Sequence, residues 1–217
     1  MTEILPGIHH VPAANGTIVY LVKDRGSNYT LIDCGLPGSE VPVLEYLRGL
    51  KLEPTAVKRI LLTHLHRDHT GGLKQLIEVT RARTFAHWIE AAFIAGSPVY
   101  DGPGMPPVDH VTVDEVLKDG DSLDSAGGLT VFHTPGHTPG HSAYYQSERK
   151  VLFSGDLFFG DGERLVLTTP EYTQHLLTAK ISARRMGQLA VDAVLPYHGG
   201  PFATGGGKLL RSLVQGL

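Results

Sequence analysis

The amino-acid sequence predicts an α/β fold in which several strands end at potential metal ligands. Short apolar runs, such as residues 60–62 and 151–153, have the length and composition of buried strands. Other segments have helical periodicity or the composition of turns. Four of the apolar runs are followed by a Gly- or Pro-containing turn that carries His or Asp. Functional loops commonly cluster on a rigid scaffold, so these four strand ends could meet at one edge of a sheet.

The predicted strands and helices alternate along the chain. The first two strands are joined by a turn at 24–27, where Asp, Arg, Gly and Ser follow one another. The strands are predicted at 17–22, 28–33, 58–63, 83–87, 110–116, 128–133, 142–146, 150–154 and 192–195. The helices are predicted at 39–49, 71–79, 88–95, 170–190 and 207–215. The helix at 170–190 is predicted because apolar or small side chains recur at three- and four-residue steps, at Tyr172, Leu176, Ala179, Ala183, Met186 and Ala190.

Residues 96–107 are too rich in glycine and proline for regular structure. An irregular segment of this length often has a function, so one interpretation is a loop over the site. The segment lies near the midpoint of a chain of 217 residues, which has the size of one domain. We therefore predict a single domain over residues 1–217, with two merged halves that divide near 96–107.

Composition and charge argue against several classes of protein. Charged residues make up 19% and apolar residues 41% of the chain, which argues against disorder. The net charge is −3, and the sequence lacks the concentrated positive charge of a nucleic-acid surface. No apolar run approaches the length of a membrane span, and the first residues do not resemble an export signal, so we expect no membrane partner. Cys34 is the single cysteine, which excludes an intrachain disulfide and favours a cytoplasmic protein.

The most informative motif is Thr-His-Leu-His-Arg-Asp-His-Thr-Gly-Gly at residues 63–72. His64 and His66 follow a predicted strand and, being two residues apart, can project from one side of the chain. Asp68 and His69 come directly after them, in position for a second metal beside the first. Imidazole nitrogen and carboxylate oxygen suit zinc, iron or manganese better than calcium or magnesium. A solvated loop rich in histidine is the alternative, but four potential ligands within six positions favour a metal site.

Four further motifs complete the pattern. They are Leu-Ile-Asp-Cys-Gly at 31–35, Thr-Pro-Gly-His-Thr-Pro-Gly-His at 134–141, Ser-Gly-Asp at 154–156 and Tyr-His-Gly at 197–199. Together with residues 64–69, these motifs resemble the metallo-β-lactamase superfamily, in the superfamily's order and over most of the chain. The resemblance implies the αββα arrangement, with two mixed β-sheets sandwiched between helices and each half of the chain supplying one sheet. It is weak evidence for the substrate, because the same fold supports many reactions.

The resemblance also implies the ligands of two metal ions. The expected ligands are His64, His66 and His137 for the first ion, and Asp68, His69 and His198 for the second. Asp156 would bridge the two ions. The superfamily pattern selects His137 in the block at 134–141 and gives His141 a supporting or packing role. Asp33 is expected behind the histidines of the first ion, where its carboxylate could accept an imidazole N–H, although a plain turn-forming Asp is an alternative.

A binuclear centre of this kind implies hydrolysis. Two metal ions, with Zn²⁺ favoured over Fe or Mn, could lower the pKa of a bridging water towards about 7. The resulting hydroxide would attack an ester, thioester, lactone or lactam of a small molecule, with Asp68 as proton acceptor. The block at 134–141 is similar to that of glyoxalase II-type thioesterases, which makes a thioesterase the favoured interpretation.

Several alternatives stay open at this point. The same ligands are compatible with an iron oxidoreductase of the persulfide dioxygenase type, in which two His and one Asp hold one iron. A non-catalytic binding module would leave seven ligand positions without a purpose. Lactonases of the superfamily usually have Tyr three residues after the bridging Asp, where this chain has Phe159. Few charged residues neighbour the metal loops, so we predict a pocket for a small apolar acyl group beside Phe158, Phe159 and Tyr197.

Overall fold

Two mixed β-sheets pack face to face between outer layers of helices in the computed structural model, which describes residues 2–217. This confirms the predicted αββα arrangement. The first sheet has seven strands: Thr2–Leu5 (β1), Ile8–Pro12 (β2), Ile18–Lys23 (β3), Tyr29–Ile32 (β4), Val57–Leu61 (β5), Arg83–His87 (β6) and Glu115–Leu117 (β7). They follow one another in spatial order, antiparallel from β1 to β4 and parallel from β4 to β7.

The second sheet has five strands, and a separate hairpin accompanies it. The strands are Ser122–Leu123 (β8), Leu129–His133 (β9), Ser142–Gln146 (β10), Val151–Gly155 (β11) and Ala193–Pro196 (β14). Their spatial order is β14-β11-β10-β9-β8, with a parallel pair only between β11 and β14. Phe158–Asp161 (β12) and Arg164–Leu167 (β13) form the antiparallel hairpin.

Six helices complete the described part of the chain. They are Glu40–Gly49 (α1), Arg67–Thr70 (α2), Leu73–Thr80 (α3), Trp88–Ile94 (α4), Leu176–Met186 (α5) and Gly206–Gln215 (α6). Buried residues of α1, α3 and α4 pack on the first sheet, and those of α5 and α6 pack on the second. None of the helices within residues 2–217 has both the length and the apolar composition needed to cross a membrane.

The strands bury both faces, which explains their continuous apolar runs. In β3, Tyr20 and Val22 face the second sheet, whereas Val19 and Leu21 face the outer helices. This alternation follows from the two-residue period of a strand. The Tyr20 hydroxyl also donates to the carbonyl of Pro196 (2.7 Å), which ties the two sheets together near the edge that carries the predicted ligands.

The structure corrects several predicted elements. The predicted helix at 170–190 is wrong at its start, because residues 174 and 175 donate their backbone N–H groups to the loop that carries His137, and the helix begins at Leu176. The predicted strand at 110–116 is a short strand that begins at Glu115. The sequence analysis missed the N-terminal strands β1 and β2 and the hairpin of β12 and β13. The chain does not change sheets at residues 96–107, where the two halves were predicted to divide, because β7 follows this segment and still pairs in the first sheet. The change of sheet falls between Leu117 and Ser122.

Candidate metal centre

Strand ends from both sheets meet at one edge and carry the predicted ligands. At the end of β4, the backbone N–H of Asp33 donates to the carbonyl of Leu61 on the neighbouring β5 (2.9 Å). The backbone N–H of Ser142, at the start of β10, donates to the carbonyl of Thr63 (2.9 Å). The loop after β5 and the loop between β9 and β10 are thereby joined directly. Loops held this way on rigid strands can fix side chains with little freedom.

Three buried histidines form the first ligand group. The Nε2 atom of His64 lies 3.1 Å from Nδ1 of His66, and Nε2 of His137 lies 3.0 Å from the same Nδ1. His64 is completely buried, and His66 and His137 are nearly so. The loops that carry these histidines are more than 65 residues apart in sequence. The structure therefore brings together the three residues expected for the first metal ion.

The second ligand group contains Asp68, His69, Asp156 and His198, whose ligand atoms lie within 4.8 Å of one another. The short helix α2 presents Asp68 and His69, and Asp156 and His198 follow the ends of β11 and β14. Nε2 of His198 lies 3.0 Å from Oδ2 of Asp68.

Asp156 lies between the two groups. Its Oδ2 is 3.6 Å from Nε2 of His137 in the first group and 3.4 Å from Nε2 of His198 in the second. Its Oδ1 is 3.3 Å from Nε2 of His69. This is the position expected of a residue that serves both groups.

Hydrogen bonds to the outward ring nitrogens of His69 and His64 fix the tautomers of these two ligand histidines. His69 donates from Nδ1 to Oδ2 of Asp33 (2.9 Å), and a carboxylate can only accept. The Thr63 hydroxyl donates to the same Oδ2 (2.8 Å), so its lone pair accepts from Nδ1 of His64 (3.1 Å). These bonds leave Nε2 of both histidines free to coordinate. Asp33 was expected to contact a histidine of the first group. That expectation is wrong, because the ends of β4 and β5 place the Asp33 carboxylate against His69 of the second group.

The glycine- and proline-rich segment 96–107 holds His66. The Nε2–H group of His66 donates to the carbonyl of Pro103 (3.0 Å), which leaves Nδ1 of His66 facing the other histidines. The hydroxyl of Tyr100 donates to the same carbonyl (3.0 Å), and Arg67 donates its backbone N–H to Met105 (3.0 Å). Gly104 has φ +91°, and a Cβ there would lie 2.4 Å from Nε2 of His66. The segment thus lies over the site, and only glycine lets it come so close.

The charges of the two groups differ. Burial lowers the pKa of His64 and of His137 well below the ordinary value, so both rings are neutral at pH 7. Burial also acts to lower the pKa of His198, but the negative charge of Asp156 and the hydrogen bonds to Asp156 and Asp68 raise it to about 9. The pKa of His69 is likewise raised well above its ordinary value by the carboxylates around it, against the effect of burial.

The donor set fits divalent metal ions. Nε2 of His69 and Oδ1 of Asp156 are buried and 3.3 Å apart, and neither has a well-formed hydrogen bond within the described part of the chain. In the first group, three neutral imidazole nitrogens turn their lone pairs towards one another at 3.0–3.1 Å. Buried polar atoms are normally satisfied, and a bound cation could satisfy both arrangements. Imidazole and carboxylate ligands are those of zinc and related transition metals.

A cavity of about 330 Å³ opens onto both ligand groups. Apart from the ligands, its walls are formed by Gly104, Met105, Phe159 and Tyr172. Phe159 packs edge-on against the ring of His198, with centroids 5.3 Å apart. The pocket is therefore apolar beside the ligands, as ligand sites commonly are.

Two of the three predicted pocket residues lie elsewhere. Phe158 is wrong as a pocket residue, because strand alternation turns it into the core on the outer side of the second sheet, where it is fully buried. Tyr197 is also buried. Its ring lies 3.8 Å from that of His69 and its hydroxyl donates to the backbone carbonyl of Asp68, so it supports the second group. Tyr172, predicted as a helix residue, instead reaches the cavity from a 3₁₀ turn and is 57% exposed.

His141 is buried behind the ligands and is not a member of either group. Its Nε2 accepts the backbone N–H of Asp156 (3.1 Å), while Nδ1 contacts the Thr134 hydroxyl (2.8 Å). Burial lowers the pKa of His141 to about 3, so the ring is neutral and able to accept. Sequence reasoning missed Thr168, whose hydroxyl contacts Nδ1 of His137 (3.0 Å), and a threonine at a strand end gives no signal of such a role.

Comparison with known proteins identifies the family. Residues 14–198 match the family model described as the metallo-beta-lactamase superfamily. The chain therefore belongs to the metallo-β-lactamase superfamily.

Curated relatives are similar over most of this chain. A hydroxyacylglutathione hydrolase from Methylobacillus flagellatus is 38% identical over 176 residues, which is 78% of this chain and 57% of that protein. A hydroxyacylglutathione hydrolase from Yersinia pestis is 37% identical over 187 residues, covering 85% of this chain and 62% of that protein. The chain thus spans about six tenths of the length of these relatives.

Solved structures share the fold. A metallo-beta-lactamase family protein from Thermus thermophilus has a TM-score of 0.73 at 26% identity, covering 99% of this chain and 80% of that chain. A beta-lactamase from Chitinophaga pinensis has a TM-score of 0.76 at 21% identity, covering 99% and 89%. The second likeness is one of fold alone.

Proposed function

We propose that this protein is a metal-dependent hydrolase that holds two divalent cations and cleaves a thioester of a small molecule. The observation that carries the proposal is the pair of ligand groups that open onto one cavity, with the Asp156 carboxylate between them. Zinc is the favoured cation, and iron or manganese would suit the same ligands.

The thioester is favoured for two reasons. The relatives described above are named hydroxyacylglutathione hydrolases. The cavity also has the size of a small-molecule site, and Met105, Phe159 and Tyr172 give it apolar walls beside the ligands. An acyl group of modest size fits such walls. Because the chain matches only part of each relative, both the activity and the substrate are proposals for this chain.

When bound, two divalent cations supply Lewis-acid chemistry that acidifies water and polarises a carbonyl. Asp68 lines the cavity, and although burial alone would raise its pKa, the charge of His69 and the hydrogen bond from His198 lower it. Asp68 is therefore a carboxylate at neutral pH and can accept a proton from the water that attacks the acyl carbon. A C–O bond forms and the C–S bond breaks. The leaving sulfur takes up the proton that Asp68 accepted and departs as a thiol. One thioester and one water give one carboxylic acid and one thiol.

The test combines metal analysis with a panel of substrates. Protein purified without added metal is analysed for zinc, iron and manganese and is then assayed with thioesters, lactones and β-lactams. We expect two ions per chain and preferred hydrolysis of thioesters. One iron per chain with oxygen consumption and no hydrolysis would instead favour the dioxygenase alternative.

Replacing Asp68 tests the proposed proton acceptor. Asp68→Asn should retain the fold and lower kcat/KM by about 10²- to 10⁴-fold, because the negative charge of a metal ligand and the proton acceptor are both lost. Asp192→Asn is the matched control, because Asp192 is an exposed carboxylate outside both ligand groups, 3.8 Å from Lys150. Near-normal turnover by the Asp68 variant would contradict the assigned role.

A further inference from the structure

Glu90 is a buried glutamate outside both ligand groups. It lies in the first turn of α4, within the apolar stretch Trp-Ile-Glu-Ala-Ala-Phe-Ile at 88–94, and its side chain has no exposed surface. A charged side chain is rarely buried without partners, because the loss of hydration is costly. The partners of this carboxylate therefore show what it does.

Three donors from two distant loops converge on the carboxylate. Oε2 accepts the backbone N–H of Leu65 (2.7 Å), which lies between the two histidines of the first loop. Oε1 accepts the hydroxyl of Thr138 (2.9 Å) and the backbone N–H of Gly140 (2.6 Å) on the second loop. A Cβ at residue 140 would lie 2.9 Å from Oε1, so glycine lets this loop approach the carboxylate.

We infer that Glu90 is a positioning residue that fixes the geometry of the first ligand group by joining its two loops. Leu65 is adjacent to both His64 and His66, and Thr138 is adjacent to His137. All three histidines are therefore one residue away from a hydrogen bond to the same side chain. This inference rests on the proposed function in one respect, namely that the first group binds a metal ion.

The carboxylate is suited to this task because it can accept at both oxygens. Burial raises the pKa of Glu90 to about 7, and the three hydrogen bonds oppose that rise. The backbone donors of Leu65 and Gly140 cannot turn into acceptors. A glutamine at this position would have one acceptor oxygen, so its NH₂ group would have to face one of these two N–H groups. The Glu90→Gln substitution therefore breaks one side of the connection while keeping the shape of the side chain.

The test measures metal affinity separately for the two groups. Glu90→Gln is made in a His198→Ala background, which leaves the first group intact, and in a His64→Ala background, which leaves the second. Affinity for Zn²⁺ is measured by competition with a chelator, and the absorption spectrum of bound Co²⁺ reports the ligand geometry. We expect first-group affinity to fall about 10- to 100-fold with a changed Co²⁺ spectrum, as for other supporting residues of metal sites. Second-group affinity should stay near that of its own background.

Two further variants keep the test decisive. Asp114→Asn is the matched control, because the Asp114 carboxylate also accepts a backbone N–H and a threonine hydroxyl, both from Thr84 at 2.8 Å. Because both bonds end on Oδ2, the amide oxygen of Asn can keep them, so this acid-to-amide change should leave thermal stability and the metal affinity of both groups nearly unchanged. Thr138→Val removes one donor and keeps both backbone bonds, so it should give a smaller loss at the first group even if Glu90→Gln folds poorly.

The outcomes separate the inference from the proposed function. If the unsubstituted chain binds two ions and Glu90→Gln changes neither group, or weakens both equally, the inference is overturned and the proposed function stands. If the unsubstituted chain takes up no metal, both fail. A loss confined to the first group, with a smaller loss in Thr138→Val, supports the inference.

Discussion

Replacing Asp33 with Asn perturbs the second ligand group without touching a ligand. Asp33 has φ +63°, in the left-handed region that Asn also tolerates, so the backbone can be kept. Its carboxylate accepts three hydrogen bonds: from the backbone N–H of Thr63 on Oδ1 (2.8 Å), and from the Thr63 hydroxyl and Nδ1 of His69 on Oδ2. The substitution replaces one of these two oxygens with an NH₂ group.

Either orientation of the new amide loses a buried hydrogen bond. If the NH₂ group faces the Thr63 N–H, a buried backbone donor is left unsatisfied, at a cost of about 1–3 kcal/mol. If it faces His69, the ring must turn its proton towards the metal centre, and Nε2 can no longer coordinate. Metal binding requires the first orientation, with its unsatisfied donor, whereas the metal-free protein can adopt the second, so second-group affinity should fall about 10- to 100-fold. Such a change corresponds to about 1.4–2.8 kcal/mol, close to the cost of the lost hydrogen bond.

The assay is Zn²⁺ binding to each group in chelator-buffered solution, together with thermal denaturation of the metal-free protein. Asp24→Asn is the control, because Asp24 has a nearly buried carboxylate that accepts a threonine hydroxyl and the backbone N–H of Ala126, away from the ligands. Both variants should lose thermal stability, but only Asp33→Asn should lose second-group affinity. The reasoning is refuted if Asp33→Asn binds two ions as tightly as the unsubstituted protein.

The charges and the packing give three further predictions. Because the pKa of His198 is raised to about 9, metal binding at the second group should release at least one proton at pH 7.5, which calorimetry in buffers of different ionisation enthalpy measures. In the metal-free protein, the stabilisation from protonated His198 is complete below about pH 6.5 and is lost as the pH rises through 9, so the thermal midpoint should fall over that range. Binding without proton release, or a flat midpoint, would contradict this. Phe158→Ala should destabilise the fold by about 3–5 kcal/mol, whereas Phe159→Ala should mainly raise KM for the best thioester. Equal effects of the two variants on stability would show that their burial is misassigned.

The sequence alone determined the candidate ligands and the type of fold. His64, His66, Asp68 and His69 lie within six positions, and a short segment at a strand end keeps such neighbours together in space. Apolar runs ending in Gly- or Pro-rich turns indicated which segments are buried strands, because a strand of four to eight residues carries its signal locally. The paired sheets between helices came from the resemblance carried by the order of the motifs.

The tertiary structure decided which side chains support those ligands and which face the cavity. Asp33 contacts His69 because parallel pairing brings the ends of β4 and β5 together, and no local pattern distinguishes His69 from His64 as its partner. Residues 174–175 give their N–H groups to a loop almost 40 residues earlier, which ends the apparent helical pattern and sends Tyr172 to the pocket.

Glu90 illustrates the same division. Glu90 lies within the helix predicted at 88–95, but its role depends on donors 25 and 50 residues away. The physical reason is that coordination needs only the right side chains near one another, whereas their support depends on strand register and burial. Register and burial are properties of the packed molecule, in which a shift of one residue turns a side chain from the core to the cavity, as it does between Phe158 and Phe159.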